Sequence, residues 1–172
     1  GSQYDPGVVI SAMEKTGIRG ITGRHAADNP PEVAPRGWTS EMMKHHFFLD
    51  AKTALAELER CVLKYNNTLN GRARCWVNIE GKEPCTLELH VGARALAERL
   101  GVGTTYHLAT SIEEAKVCES KYGMWPISRV YKAGGLGKNL VIAHGVAVAD
   151  SEIEILAKSG TKIAFCPCSS LK

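Results

Sequence analysis

Apolar residues along this chain recur in two alternating rhythms, one helical and one extended. Val9, Ile10 and Met13 stand three and four apart between Pro6 and Thr16, which predicts a helix that Gly17 ends as a left-handed cap. Ile18 to Gly23 reads as a short strand. From His25 to Thr39, Pro30, Pro31, Pro35 and Gly37 exclude regular structure and predict a long loop, a place where function often sits. Phe48, Ala51, Leu55, Leu58, Val62 and Tyr65 form one helical stripe, predicting the longest helix, with its end at Asn66-Asn67. Cys75 to Ile79 is a strand, and Thr86 caps a helix whose Leu89, Ala93, Leu96, Ala97 and Leu100 share one face before Gly101 stops it.

The rhythm then repeats. Gly103 to Leu108 is a strand, and Ser111 with Glu114 has the form of a capping box opening a helix to about Tyr122. Pro126 opens a short helix that Gly134-Gly135 breaks. Leu140 to His144 is a near-continuous apolar run, suited to a strand buried on both faces. Asp150 and Ser151 are candidate caps for a helix over Glu152 to Ser159, with Ile153, Leu156 and Ala157 inward and Gly160 at its end. Lys162 to Cys166 is the last strand. Five strands separated by helices predict an α/β fold with a parallel sheet and right-handed crossovers. A closed eight-stranded barrel takes about 250 residues, so 172 residues fit an incomplete (β/α)8 TIM-like barrel of about five parallel β/α units. Such a sheet has two unclosed edges.

Composition narrows the partners. The chain is 44% hydrophobic and 23% charged, the make-up of a globular protein with one core. Its net charge of +3 comes from 21 basic and 18 acidic residues dispersed along the sequence, without the basic stripe that nucleic acid requires. There is no apolar run of about 18 residues and no signal-peptide pattern, so no membrane partner is expected and a cytoplasmic location is the default. The six cysteines read as free thiols in a chain long enough to build an apolar core. The sequence leaves the oligomeric state open, a homo-oligomer included. It opens on Gly1 rather than Met, which is compatible with an excerpt of a longer reading frame.

The candidate chemistry lies in His107 and His144, each ending a predicted strand that a loop and a capped helix follow. In a parallel barrel, strand carboxyl ends converge on one face, where metals and substrates are held. Side-chain alternation groups His107 with Thr105, and His144 with Leu140 and Ile142, and predicts that both imidazoles point to the barrel axis. Neutral imidazole suits zinc or iron, but a catalytic zinc takes three protein ligands, so two histidines fall short. Each could equally be an ordinary histidine near a strand end. His25, His90 and the pair His45-His46 read as surface or core residues, and Cys166-Pro-Cys168 as small residues at a strand end rather than a soft-metal chelate.

A stretch from Gly103 to Lys172 carries more. Pro126-Ile-Ser-Arg-Val-Tyr-Lys-Ala-Gly-Gly-Leu-Gly-Lys-Asn-Leu-Val-Ile-Ala-His144-Gly-Val, then Asp150 to Gly160, then Phe165-Cys-Pro-Cys-Ser-Ser-Leu-Lys172 resembles the metal-dependent amidohydrolase superfamily. The likeness is to its branch of cytosine, guanine and adenosine-derivative deaminases and triazine chlorohydrolases. In that branch the fifth and sixth barrel strands each end in a metal-binding His, and a phrase of the type His-Cys-Pro-x-Ser-Asn-Leu-Lys follows the seventh. The resemblance implies that His107 and His144 are metal ligands and that residues 1–172 form a single partial catalytic barrel domain, strands three to seven. The family's first-strand His-x-His pair and eighth-strand Asp would fall outside it. Three departures qualify the match. Thr110 stands where relatives carry a Glu proton shuttle three residues beyond the fifth-strand His, leaving at most a role in placing water or substrate. Glu113 and Glu114 beside it read as solvated or cap residues. Phe165 and Ser170 replace the usual His and Asn. Glu80 falls near the fourth-strand end, where relatives often place a substrate-contacting His. A carboxylate there either binds an amino or amidine group or stands as an exposed loop residue, the reading the sequence favours.

The implied function is part of a metal-dependent hydrolase, holding one divalent metal (zinc, with iron the alternative), that displaces ammonia, an amine or a halide from a nitrogen heterocycle. Two other readings stay open. One is a noncatalytic, degenerate α/β module with an interaction or structural role; the other is a zinc module built on Cys166 and Cys168.

Overall fold

The computed structural model describes residues 5–30, 37–39, 41 and 49–170. Its elements run α1 (Gly7–Thr16), β1 (Gly20–Thr22), β2 (His25–Ala26), α2 (Ala51–Tyr65), β3 (Ala73–Cys75), β4 (Val77–Gly81), α3 (Leu87–Leu100) and β5 (Thr104–Leu108). They continue as α4 (Ile112–Tyr122), α5 (Pro126–Lys132), β6 (Leu140–His144), α6 (Asp150–Ser159), β7 (Lys162–Ala164) and a single turn α7 (Pro167–Ser170). Every strand pairing is parallel: β2, β4, β5, β6 and β7 lie side by side, and β1 pairs with β3. The Trp76 N–H donates to the Thr22 carbonyl at 2.9 Å and joins the two sheets, so β1–β2 and β3–β4 are two interrupted strands of one layer. The result is the expected α/β arrangement, a parallel sheet of five strand positions forming part of a TIM-type barrel.

The interruption at Gly23 corrects the sequence expectation that the first strand ends there. A Cβ at Gly23 would stand 2.5 Å from the Trp76 carbonyl oxygen, so only glycine lets the two backbones approach this closely. Past it the strand resumes, and His25 and Ala26 belong to β2 rather than to a loop. His45, His46 and Phe48 lie outside the described residues.

The helices are set by their caps. Asp50 accepts from the Thr53 N–H, Thr86 from Leu89 and Ser111 from Glu114, left-handed glycines at 17, 101 and 160 end three helices as their positions in the sequence predict, and Gly123 ends α4 in the same way. Helix α6 differs. Its N-cap is Ala149, and neither Asp150 nor Ser151 caps it; the Glu152 carboxylate reaches back to the Ala149 N–H at 3.3 Å. Its other oxygen accepts from the Ser128 N–H at 2.7 Å in the first turn of α5. That bond turns the helix, so Glu152 and Leu156 face inward while Ile153 and Ala157 are exposed.

The core lies between sheet and helices. Val77, Ile79, Tyr106, Leu108, Leu140 and Ile142 pack from the strands against Leu58, Leu89, Ala93, Ile127, Val130 and Leu156. The opposite, concave face is more open. Val141 and Ala143 are half-buried there, so β6 is not closed on both faces as its apolar run suggests, and all three residues of β7 are exposed. Among the described residues no helix is long and apolar enough to cross a membrane.

Candidate functional site

Strand register decides which side chains reach the concave face. His25 pairs with Asn78, Asn78 with Thr105, and His107 with Ala143, so these residues share the face opposite the helix-packed core. Glu80 follows Ile79 in alternation and joins them. His144 pairs with Leu108, and Leu108, Leu140 and Ile142 all face the helices. Regular alternation would therefore turn His144 away from His107. The grouping of His144 with Leu140 and Ile142 on an axis-facing side fails for that reason. The backbone supplies the exception: His144 has φ of 83°, a left-handed conformation outside strand geometry, and its ring comes to 5.5 Å from that of His107, centroid to centroid.

Strain of this kind persists where the surroundings hold it in place. After β6 the Gly145 N–H donates to the Leu108 carbonyl at 3.2 Å, and the Val146 and Ala147 N–H groups donate to the Ala109 carbonyl at 2.7 and 3.2 Å. Ala109 is itself left-handed, with φ of 54°. The Glu114 carboxylate pins it, accepting from the Ala109 N–H at 3.1 Å, the Thr110 N–H at 2.7 Å and the Thr110 hydroxyl at 2.6 Å. Glu114 is thus buried and holds the loop after β5, instead of standing on a solvated face; only Glu113 is exposed. Thr110 has given its hydroxyl hydrogen to Glu114 and keeps acceptor capacity alone.

His107 is oriented from the other side. Its Nδ1 lies 3.1 Å from the Glu80 carbonyl oxygen, and since a carbonyl only accepts, Nδ1 carries the hydrogen and Nε2 the lone pair. A metal-binding histidine commonly has this arrangement, its second nitrogen donating to a backbone carbonyl. Gly81, with φ of 78°, permits the contact, because a Cβ there would collide with the His107 carbonyl oxygen.

The Glu80 side chain is not an exposed loop residue. It is 26% exposed, hydrogen-bonded to His25 Nε2, and places Oε1 3.7 Å from His107 Nδ1. Burial pushes its carboxyl up, but the hydrogen bond from His25, with His107 and Lys82 close by, outweighs this and holds it below the usual glutamate range. The His25 and His107 rings stand 6.2 Å apart. Sequence alone reads His25 as a surface or core residue. The available signal was its place at a strand end, as for His107 and His144, which the break at Gly23 hid. Burial and the neighbouring His107 and Lys82 lower the pKa of His144, favouring the neutral ring that binds metals.

Two imidazoles sharing one zinc at about 2.0–2.1 Å would hold their ring centroids roughly 5 Å apart, close to the observed separation. Among the described residues no group of three or more His, Cys, Asp or Glu side chains is arranged to hold a metal ion. The pair therefore fits as part of a donor set. Cys166 and Cys168 are not brought into such a group, and Phe165 is 54% exposed.

Comparison with known proteins places this geometry in a wider setting. Residues 7–172 match the Amidohydrolase family. A 5-methylthioadenosine/S-adenosylhomocysteine deaminase of Symbiobacterium thermophilum is 32% identical over 165 residues, covering 95% of this chain and 34% of the relative. Among solved structures, guanine deaminase of E. coli superposes with a TM-score of 0.79 at 22% identity, over 99% of this chain and 38% of that one. The zinc complex of atrazine chlorohydrolase from Arthrobacter aurescens TC1 superposes with a TM-score of 0.76 at 21% identity, over 92% and 34%. The chain thus spans about a third of the length of the curated relative.

Proposed function

Because this chain belongs to the amidohydrolase family, we propose that it is part of a metal-dependent hydrolase acting on a nitrogen heterocycle, with His107 and His144 as two ligands of one divalent ion. The observation that carries this reading is the 5.5 Å approach of the two rings, reached through a left-handed backbone at His144. Zinc, present in the complex of the similar atrazine chlorohydrolase, or iron would supply the Lewis acidity that makes water a nucleophile near neutral pH. His107 presents Nε2 because the Glu80 carbonyl holds Nδ1. Glu80 keeps His25 and His107 in register and presents a carboxylate to an amino or amidine edge of the substrate. The Thr110 hydroxyl accepts a hydrogen bond from water or substrate. The leaving group is ammonia, an amine or a halide, and the ring acted on belongs to the class of purines and triazines.

The sheet edges support the reading of residues 1–172 as part of a larger barrel domain. Among the described residues β1–β2 and β7 each pair on one side only, and Ile21, Ile163 and Phe165 expose 54%, 41% and 54% of their surface. Further barrel strands added at these edges would cover them and bring the remaining ligands. The 172 residues alone are expected to hydrolyse little. The test is the full-length natural polypeptide, assayed on guanine, S-adenosylhomocysteine and a chlorotriazine. Turnover of at least one, lost to a chelator and restored by zinc or iron, is expected. Turnover unaffected by complete metal removal, or a folded full-length protein inert on every heterocycle, would overturn the reading, the latter in favour of a noncatalytic module.

A further inference from the structure

Behind the sheet, on the helix side of β5, a small cavity lies among α3, α4, α5 and the loop after β4. Lys82, His90, Glu114, Cys118, Tyr122 and Arg129 form its polar wall. Its enclosed volume is about 20 Å³, which is room for one water molecule.

His90 is 1% exposed. Its Nδ1 lies 2.8 Å from the Thr86 carbonyl oxygen one turn back on α3, so Nδ1 holds the hydrogen and Nε2 is an acceptor. Nε2 is buried and has no hydrogen-bond partner among the described residues. A buried acceptor left unsatisfied is costly, and native structures pair such groups with protein or ordered water. Burial also favours the neutral ring, with the Arg129 charge acting in the same direction, against the hydrogen bond that Nδ1–H donates to the Thr86 carbonyl. The missing partner is therefore a donor. A cation is disfavoured by Lys82 and by Arg129, whose guanidinium stacks 3.8 Å from the centroid of the Tyr122 ring.

We infer that this cavity is a binding site for one ordered water, which donates to His90 Nε2 and finds its further partners among the polar groups of α4 and α5. The water would then tie α3 to both helices directly behind the sheet. The His90 ring packs edge-on against Tyr106 with centroids 5.0 Å apart, and Tyr106 precedes His107 in β5. The site thus supports the strand that carries His107 from its buried side, and His90 is a positioning residue rather than a ligand. Its existence does not depend on whether a metal binds in front.

The test is a long-range 1H–15N spectrum of the full-length protein, with cross-relaxation between water and the His90 ring protons. The expected result is the Nδ1–H tautomer and a long-lived water at the ring. An Nε2–H tautomer, or a folded protein with no water signal there, would overturn the inference. In His90→Phe, which keeps an aromatic ring against Tyr106, the water signal from the cavity should be lost. Its persistence in a folded variant would equally contradict the assignment, and if that variant does not fold the wild-type spectrum decides alone.

Discussion

Glu114 and Glu152 lie behind the sheet, 8% and 0% exposed, and accept from the backbone N–H groups of Ala109, Thr110, Ser128 and Ala149 and from the Thr110 hydroxyl. Glu80 lies on the concave side, is 26% exposed, and has imidazoles as its neighbours. The difference separates two uses of a carboxylate. Where its lone pairs serve backbone donors that have no other partner, it fixes a loop or helix terminus, and its removal strands those donors. Where its neighbours are imidazoles that can exchange partners, it is available for chemistry and contributes little to folding.

Substitutions at the three positions should break the comparison if it is wrong. Glu152→Ala should have the largest effect, destabilising the protein by about 3 kcal/mol, since it orphans N–H groups at the starts of two helices. Glu152→Gln, which retains an acceptor, should cost less. Both are read by denaturant unfolding of the full-length protein. Glu114→Ala should cost about 2 kcal/mol by the same measure and disturb the loop after β5. If either alanine variant unfolds at the wild-type denaturant concentration, the structural role assigned to it is wrong. Glu80→Ala should change stability by less than about 1 kcal/mol and, because the backbone carbonyl that holds His107 Nδ1 remains, leave metal bound, yet lower turnover roughly 10- to 100-fold by removing the carboxylate that contacts His25 and faces the substrate. A Glu80→Ala protein that is strongly destabilised but turns over normally would reverse the contrast.

The smallest effect expected is pH-dependent and comes from His90. Its folded pKa lies below the unfolded value, so folded and unfolded chains carry the same neutral ring at higher pH. As pH falls below about 6.5, the unfolded state takes up a proton that the folded state refuses, and stability declines down to the folded pKa. The groups acting on this ring are Arg129 and Asp28, with the Thr86 carbonyl at Nδ1. His90→Phe should flatten that part of the stability profile, and an unchanged acid slope in the variant would remove His90 as its cause.

Much of the scaffold was readable because its determinants are local. Thr86, Ser111 and Gly160 sit where capping chemistry requires them, and Leu140 to His144 is bounded by sequence as by structure. His107 followed from strand alternation. What escaped depended on partners far along the chain. The break at Gly23 reflects the approach of Trp76, more than fifty residues later, and it concealed His25. Glu152 turned helix α6 through Ser128 on another helix, so Ile153 and Ala157, inward by periodicity, face solvent. His144 reached the concave face against its own alternation, because a left-handed residue at a strand end is set by the loops docked on it and leaves no trace in hydrophobic pattern.

The most direct measurement is the metal content of the full-length protein with His107→Ala, His144→Ala and both changes together, after confirming that each variant folds. If the two rings share one ion, each single variant loses most of the bound metal and the double variant loses no more than the worse single one. Stoichiometric metal with undiminished turnover in the double variant would contradict the shared site.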